Sequence, residues 1–312
     1  METISVVFMG TPDFAVPCLE MLCEQNYQIK AVITQPDRPK GRGQKLVESP
    51  VKACALKHGL PILQPQKIKT PEFEAILEEL NPDLIVVVAF GQILSKRILD
   101  IPRLGCINVH ASLLPQYRGA APLHWSVIRG EKKTGVTTMF MDEGLDTGDM
   151  LLTAEMDITD TTTTGEVHDM LQNMGADVLS ETIKQLVAGT AVRRVQNHEE
   201  ATYAPLLTKE LECIDWTQSA ANIHNLIRGL NPWPGSYTIC RNKRLKLWGS
   251  EVLAEETDKQ AGTIIRVENE RLVVAAGTGV IALTSVQPEG KKRMAAGDFT
   301  RGYQITVGEI LG

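Results

Sequence analysis

Gly105-Cys-Ile-Asn-Val-His-Ala-Ser-Leu-Leu-Pro-Gln-Tyr-Arg-Gly-Ala-Ala-Pro122 decides how this chain is read. It opens as a strand, with apolar Cys106, Ile107 and Val109, and sets two polar residues, Asn108 and His110, at alternate positions. Side chains two apart on a strand project from one face. An amide and an imidazole therefore sit side by side where the strand ends. That carboxyl edge is where open α/β sheets bind their ligands. A helix would turn the same two side chains about 200° apart, at ~100° per residue.

Working outward, strand and helix signals alternate. Ile4–Met9 and Ile29–Thr34 read as strands, with the helical spacing of Phe14–Glu24 between them. Ser49-Pro50 and Thr70-Pro71 are helix starts, each a capping residue followed by a proline tolerated in the first turn. Pro61–Leu63 is a short strand, and Leu84–Ala89 is the continuous apolar run of a buried parallel strand. Further on, 120–129 and 164–188 read as helices, and 135–141 and 150–158 as strands. This order predicts a doubly wound, mostly parallel sheet over residues 1–204, with a linker near 195–207. Beyond it the texture changes. After a helical segment over 215–230, short apolar runs at 245–247, 262–267, 271–275, 280–285 and 305–311 alternate with glycine-containing turns. They predict a small OB-like β-barrel over 205–312.

Composition excludes several classes. The chain has 312 residues, 43% hydrophobic and 22% charged, with net charge −6, so no global field draws it to nucleic acid. A nucleic-acid partner needs local clusters, and Arg241-Asn-Lys-Arg-Leu-Lys246 and Lys291-Lys-Arg293 are such clusters. No apolar run approaches the ~20 residues of a membrane span, and the opening residues lack the pattern of a secretory signal. A cytoplasmic protein without membrane contact is expected. The six cysteines form no Cys-x-x-Cys pair and have no histidine at metal spacing, so reduced thiols and no metal are expected. The first strand turn, Gly10-Thr-Pro-Asp13, is not Gly-x-Gly-x-x-Gly, which argues against a dinucleotide.

A third polar residue, Asp146, stands between Gly144 and Gly148 in the connection Asp142–Asp149. If the loops of adjacent βα units converge at one sheet edge, Asp146 meets Asn108 and His110. Amide, imidazole and carboxylate without an activated serine or cysteine suit acyl transfer straight to an amine. Neutral imidazole accepts the amine's proton, the amide stabilises the oxyanion, and the carboxylate orients the imidazole directly or through water.

These residues, with Ser112-Leu-Leu-Pro115, Tyr117-Arg-Gly-Ala-Ala-Pro122 and Gly144-Leu-Asp-Thr-Gly148, resemble the folate-dependent formyltransferase family. That family includes glycinamide ribonucleotide, sugar-nucleotide and methionyl-tRNA enzymes. The resemblance implies Asn108, His110 and Asp146 as the catalytic trio and 10-formyltetrahydrofolate as the formyl donor. Phe90, Gly91, Ser112, Leu113, Leu114 and Pro115 then stand at the folate-contact positions. The segment Gly41-Arg-Gly-Gln-Lys-Leu46, with Arg38 and Lys40, is similar to the loop that the tRNA-acting members insert against an acceptor stem. Lys209–Trp216 and Ile223–Gly235 are similar to the opening of their C-terminal domain. By this resemblance the partner is initiator methionyl-tRNA, held by Arg38, Lys40, Arg42, Lys45, Arg241, Lys243 and Arg244. The product would be an N-formylated aminoacyl-tRNA for translation initiation, made by a monomer.

Overall fold

The computed structural model describes residues 4–40, 45–268 and 270–312, with the backbone alone described for Lys40 and Lys45. Two compact units emerge. The first comprises Met1–Gly119, Thr134–Met156 and His168–Ala204, and the second Ala120–Lys133, Asp157–Val167 and Pro205–Gly312. Two segments read from the sequence as parts of the first half thus pack with the C-terminal elements.

The first unit carries a seven-stranded sheet. Its order is Met150–Asp157, Lys133–Phe140, Cys106–His110, Leu84–Val88, Ser5–Gly10, Gln28–Ile33 and Ile62–Leu63. From Cys106–His110 to Ile62–Leu63 every pairing is parallel. The centre is built of runs buried on both faces, such as Leu84-Ile-Val-Val-Val88, as a parallel sheet covered by helices requires. Each fully buried Val, Leu or Ile contributes roughly 1.5–3 kcal/mol of apolar burial.

Local chemistry sets the helix ends. Ser49 caps Pro50–Lys57 by accepting from the Lys52 N–H at 3.0 Å, and Thr70 caps Pro71–Leu80 through Phe73. Asn81 ends that second helix in the left-handed region, at φ +41°. The 25-residue helix Thr164–Ala188 comes so close to the sheet at Gly175 that a Cβ there would lie 3.2 Å from Val109. It covers the face of Cys106–His110 opposite to Asn108 and His110.

Chain order reverses between Ser5–Gly10 and Leu84–Val88. The crevice beyond their carboxyl ends is therefore a topological switch point. Gly10 lets the chain turn tightly there, since a Cβ would stand 2.9 Å from that of Ala15 and 3.0 Å from the Val88 carbonyl oxygen. Beside it, Thr11 Oγ1 and Gln35 Nε2 both donate to the Phe90 carbonyl at 3.3 Å. The ends of three strands are tied together.

The second unit departs from the expected barrel. Its strands Ser236–Cys240, Lys243–Leu253, Val280–Pro288, Leu272–Ala275 and Ile264–Val267 form one antiparallel sheet in that order, with Met294–Ala295 added to Val280–Pro288. No strand pairing joins the two ends of this path among the described residues, so the strands by themselves form no closed barrel, and it is the last residues that bond to both ends, Leu311 to Gly262 and Gly312 to Ile239. Residues 305–311, expected as one strand, do not form one: only their second half runs beside Gly262–Ile264, through the bridge Thr263–Ile310 and bonds of Gly308, Glu309 and Leu311. Left-handed backbone at Gln304 (φ +52°), just before that segment, and at Gly308 (φ +96°), in its middle, breaks the extended run. Ala296–Tyr303 is a helix the sequence reading did not anticipate. Two glycines weaken its propensity, while burial of Ala296, Phe299 and Thr300 supplies the amphipathic stripe that holds it. The helix read over 215–230 is Ala220–Gly229, because Ser219 caps it and Asp215 closes a turn on Thr217 instead.

Candidate active site

Asn108 and His110 lie on one face of Cys106–His110 and are buried, at 9% and 6% exposure. Cys106 lies on the same face but is packed under Ile98 and Leu99, and burial pushes its thiol up to about 12. The face thus passes from apolar to polar at the strand's carboxyl end.

The third group arrives by an unexpected route. Lys133–Phe140 runs antiparallel to Cys106–His110, pairing Phe140 with Ile107 and Thr137 with His110. The connection 141–149 therefore leaves beside the beginning of the central strand, and the expected convergence of two carboxyl-end loops is incorrect. The loop folds back instead. Asp146 sits in the left-handed region (φ +53°), which a short polar side chain tolerates. Its Oδ1 is 3.5 Å from Asn108 Nδ2, and its Oδ2 is 3.7 Å from His110 Nδ1. Its Oδ2 also accepts the Gly119 N–H at 2.8 Å.

Hydrogen bonding assigns the histidine tautomer. His110 Nε2 is 2.9 Å from the Tyr117 carbonyl oxygen. A carbonyl only accepts, so Nε2 carries the proton and donates. In the neutral ring Nδ1 is then the unprotonated nitrogen, and it faces Asp146. A proton taken up at Nδ1 meets a carboxylate, and the imidazole becomes the cation of an ion pair.

Tyr117 itself is held with φ +59°, a conformation costing roughly 1–3 kcal/mol for a bulky residue. Thr202 compensates it. Its Oγ1 accepts the Tyr117 N–H at 2.9 Å, and its carbonyl accepts the Arg118 N–H at 2.9 Å. Arg118–Gly119 also pairs in parallel with Tyr203–Ala204. Most of the stretch expected as a linker is therefore integral to the first unit. Neither Thr202 nor Gln196 was singled out by the sequence reading, since isolated polar residues in a loop carry no pattern.

The expected folate-contact residues flank the trio. Ser112 donates to the Gln116 carbonyl at 2.6 Å, while Thr137 ties the segment by donating to the Ser112 carbonyl and accepting from the Leu114 N–H. Gly91 follows Leu84–Val88 with φ +82°. Phe90 is 2% exposed and its side chain belongs to the core, so only its backbone is presented at the strand end. Next to them the buried Nε2 of Gln92 has no hydrogen-bond partner among the described residues.

The expected tRNA contacts divide between the two units. Arg38–Lys40 and Lys45–Val47 form a two-stranded ladder with Arg38 exposed, and Arg42 lies outside the described residues. In the second unit Lys243 is exposed and Arg244 stacks on Tyr237 at 4.4 Å. Arg241 is exposed as well, and its guanidinium is bound to Glu309 at 2.7 and 2.8 Å and to the carbonyls of Tyr303 and Gln304.

Among the described residues one mixed cluster could hold a metal ion, and it corrects the expectation that no histidine stands at metal spacing from a cysteine, since Cys54 and His58 are four apart. Ligand atoms of Glu20, Cys54 and His58 lie within 4.8 Å of one another. Glu20 is already paired with Lys57, and burial raises the Cys54 thiol to about 11, which keeps it protonated. None of the three belongs to the trio.

Comparison with known proteins decides the relationship. The formyl transferase family model matches residues 3–183, and that of the formyl transferase C-terminal domain matches residues 206–304. The chain belongs to the formyltransferase family. A protein of Clostridioides difficile named methionyl-tRNA formyltransferase is 52% identical over 99% of this chain and all of its own length. A Bacillus subtilis protein of the same name is 50% identical over 98% of this chain and 97% of its own. Among solved structures, a sugar N-formyltransferase named WlaRD superposes with a TM-score of 0.67 at 19% identity, covering 94% of this chain and 100% of that one. The N-formyltransferase of Helicobacter canadensis, in complex with folinic acid, gives 0.68 at 19%, covering 90% and 99%. The solved structures establish a shared fold. No helix among the described residues is long and apolar enough to cross a membrane.

Proposed function

We propose that the protein transfers the formyl group of 10-formyltetrahydrofolate to the α-amino group of methionyl-tRNA, giving N-formylmethionyl-tRNA for translation initiation. The observation that carries this reading is the meeting of Asn108, His110 and Asp146 at one buried polar edge, in a chain half identical to methionyl-tRNA formyltransferases along its whole length.

The amine of methionyl-tRNA attacks the formyl carbon, and a new C–N bond forms as the carbonyl oxygen takes up negative charge. Asn108 Nδ2 donates to that oxyanion, a contribution of ~3–4 kcal/mol for a well-placed donor. His110 Nδ1 accepts the proton the attacking amine loses, and Asp146 Oδ2 stabilises the resulting imidazolium. The intermediate collapses by breaking the bond to N10 of the folate. His110 returns the proton to that nitrogen, so tetrahydrofolate leaves neutral at N10 and the imidazole is restored.

Ser112–Pro115, Gly91 and the Phe90 backbone contact the folate in this reading. The Gln92 amide nitrogen, whose oxygen is taken by the Ile68 N–H, is a further donor at the same strand end. Arg38, Lys40, Arg42 and Lys45 grip the acceptor stem through its phosphates. The second unit, residues 205–312 foremost, is read as an OB-like RNA platform through Lys243 and Arg244. The protein acts as a cytoplasmic monomer, and its residues call for no metal.

The test is transfer of labelled formyl from 10-formyltetrahydrofolate to purified initiator methionyl-tRNA. Formylation of the tRNA is expected. Absence of transfer, or preferential formylation of a nucleotide-linked amino sugar, overturns the assignment.

A further inference from the structure

Arg118 is the largest fully buried side chain among the described residues, at 1% exposure. No carboxylate stands within ion-pair distance of its guanidinium among the described residues. Burying an unpaired cation is costly unless its donors are met, so its partners carry information. Nε and Nη2 donate to Gln196 Oε1 at 3.1 and 2.7 Å, and Nη1 and Nη2 lie 3.3 Å from His198 Nδ1. A guanidinium only donates, so His198 Nδ1 is an acceptor here.

Gln196, 3% exposed, passes the connection on. Its Nε2 donates one hydrogen to the Asp146 carbonyl at 2.9 Å and the other to the Gly148 carbonyl at 2.8 Å. These are the backbone of the loop that carries the carboxylate. Arg118 is also flanked by the two residues that contact the trio: Tyr117, whose carbonyl takes the His110 Nε2 hydrogen, and Gly119, whose N–H binds Asp146 Oδ2. One tripeptide therefore reaches His110 through its first residue and Asp146 through its third. Its middle side chain reaches the Asp146 backbone through Gln196. The ring of bonds is closed.

We infer that Arg118 and Gln196 are positioning residues that fix the left-handed backbone at Asp146 and so hold its carboxylate opposite His110 Nδ1. Gly148 shows why a clamp is needed, for a Cβ there would fall 1.9 Å from the Phe140 carbonyl oxygen. The loop must press against the strand it has just left, with its own backbone carbonyls facing inward. Gln196 supplies both donors those carbonyls require. The inference rests on the proposed formyl transfer, in which Asp146 serves His110.

The test is a mutant cycle on the full chain with methionyl-tRNA and 10-formyltetrahydrofolate. Gln196→Glu keeps the shape and the acceptor for Arg118 but sets a carboxylate oxygen against two carbonyls. A displacement of about 1 Å at a reacting group costs on the order of 10²-fold in turnover, so kcat should fall by about that factor with KM for both substrates held within about twofold. In an Asp146→Ala background the same change should cost less than about threefold, because residues acting as a unit are not additive. An equal factor in both backgrounds, or wild-type kcat in Gln196→Glu, overturns the inference. Arg118→Lys, which loses the fork but keeps the charge, should repeat the pattern more weakly.

A wild-type measurement covers the case in which the variants do not fold. Both side-chain amide hydrogens of Gln196 should exchange slowly with solvent, and exchange at the rate of an exposed glutamine overturns the clamp. Failure of the unaltered protein to formylate tRNA sinks the proposed function instead, and leaves the exchange result standing on its own.

Discussion

The polar cluster around Asp146 and the cationic turn at Arg241–Arg244 are built on opposite plans. Around Asp146 nearly every polar atom is buried and has a named partner: the carboxylate, its own carbonyl, the imidazole and the tripeptide that joins them. At the cationic turn Arg241, Lys243 and Arg244 are all exposed, and Arg241 is paired with Glu309. The difference follows from the tasks. Moving a proton between an amine and a leaving nitrogen needs groups fixed to within about half an ångström. Attracting a phosphate backbone needs charge near the surface and tolerates mobile side chains.

The largest effect should come from the buried cluster. His110→Ala removes the proton acceptor, and kcat should drop by roughly 10²–10⁴ while folate binding, followed by equilibrium titration, stays within a few-fold of wild type. Turnover near the wild-type value would show that another group takes the amine's proton. Asn108→Ala should follow at about 10²–10³ in kcat. If its loss appears in KM for methionyl-tRNA instead, Asn108 binds the ground state and not the oxyanion.

Sequence and structure part company along the same line. Asn108 and His110 are legible because a strand has period two, so position alone places both on one face. The buried run Leu84–Val88 and the caps Ser49 and Thr70 are legible for similarly local reasons. What the sequence leaves out is non-local. The antiparallel course of Lys133–Phe140 is a matter of register, and a residue such as Gln196 matters only through which carbonyls face it. The second unit shows the same limit: short apolar runs locate strands, but which backbone the last residues meet, here Gly262 and Ile239, is not written in their local pattern.

One carboxylate in each unit extends the comparison to stability. The Ser5 N–H, with Ser5 Oγ and Arg103, holds Asp83 down to about 2, and Arg241, with Thr306, holds Glu309 down to about 2. Both folded-state values lie below the unfolded ones, so the stabilisation is complete only above about pH 5 and vanishes as pH falls through about 2. Asp83→Asn should therefore lower stability at neutral pH by about 2 kcal/mol, with the gap to wild type closing as the solution is acidified below about pH 5. Thermal unfolding followed by circular dichroism across that range checks it. A gap that persists unchanged at low pH would mean that the asparagine loses packing or hydrogen bonds rather than charge.

The smallest effects, and the sharpest division, lie within the cationic turn. Each phosphate neutralised by a side chain contributes about −0.9 to the slope of log affinity against log salt on a duplex. Lys243→Ala and Arg244→Ala should each weaken methionyl-tRNA binding a few-fold at low salt and flatten that slope by about one unit or less. Arg241→Ala should behave differently although it is a neighbour in the same run. Its charge already meets Glu309, so it should leave the slope unchanged and lower the stability of the second unit by releasing the carbonyls of Tyr303 and Gln304. If all three flatten the slope alike, the ion pair to Glu309 opens on binding and the run acts as one patch. If only Lys243 and Arg244 do, three cations within four residues serve two purposes, and charge counted along the chain overstates what RNA can reach.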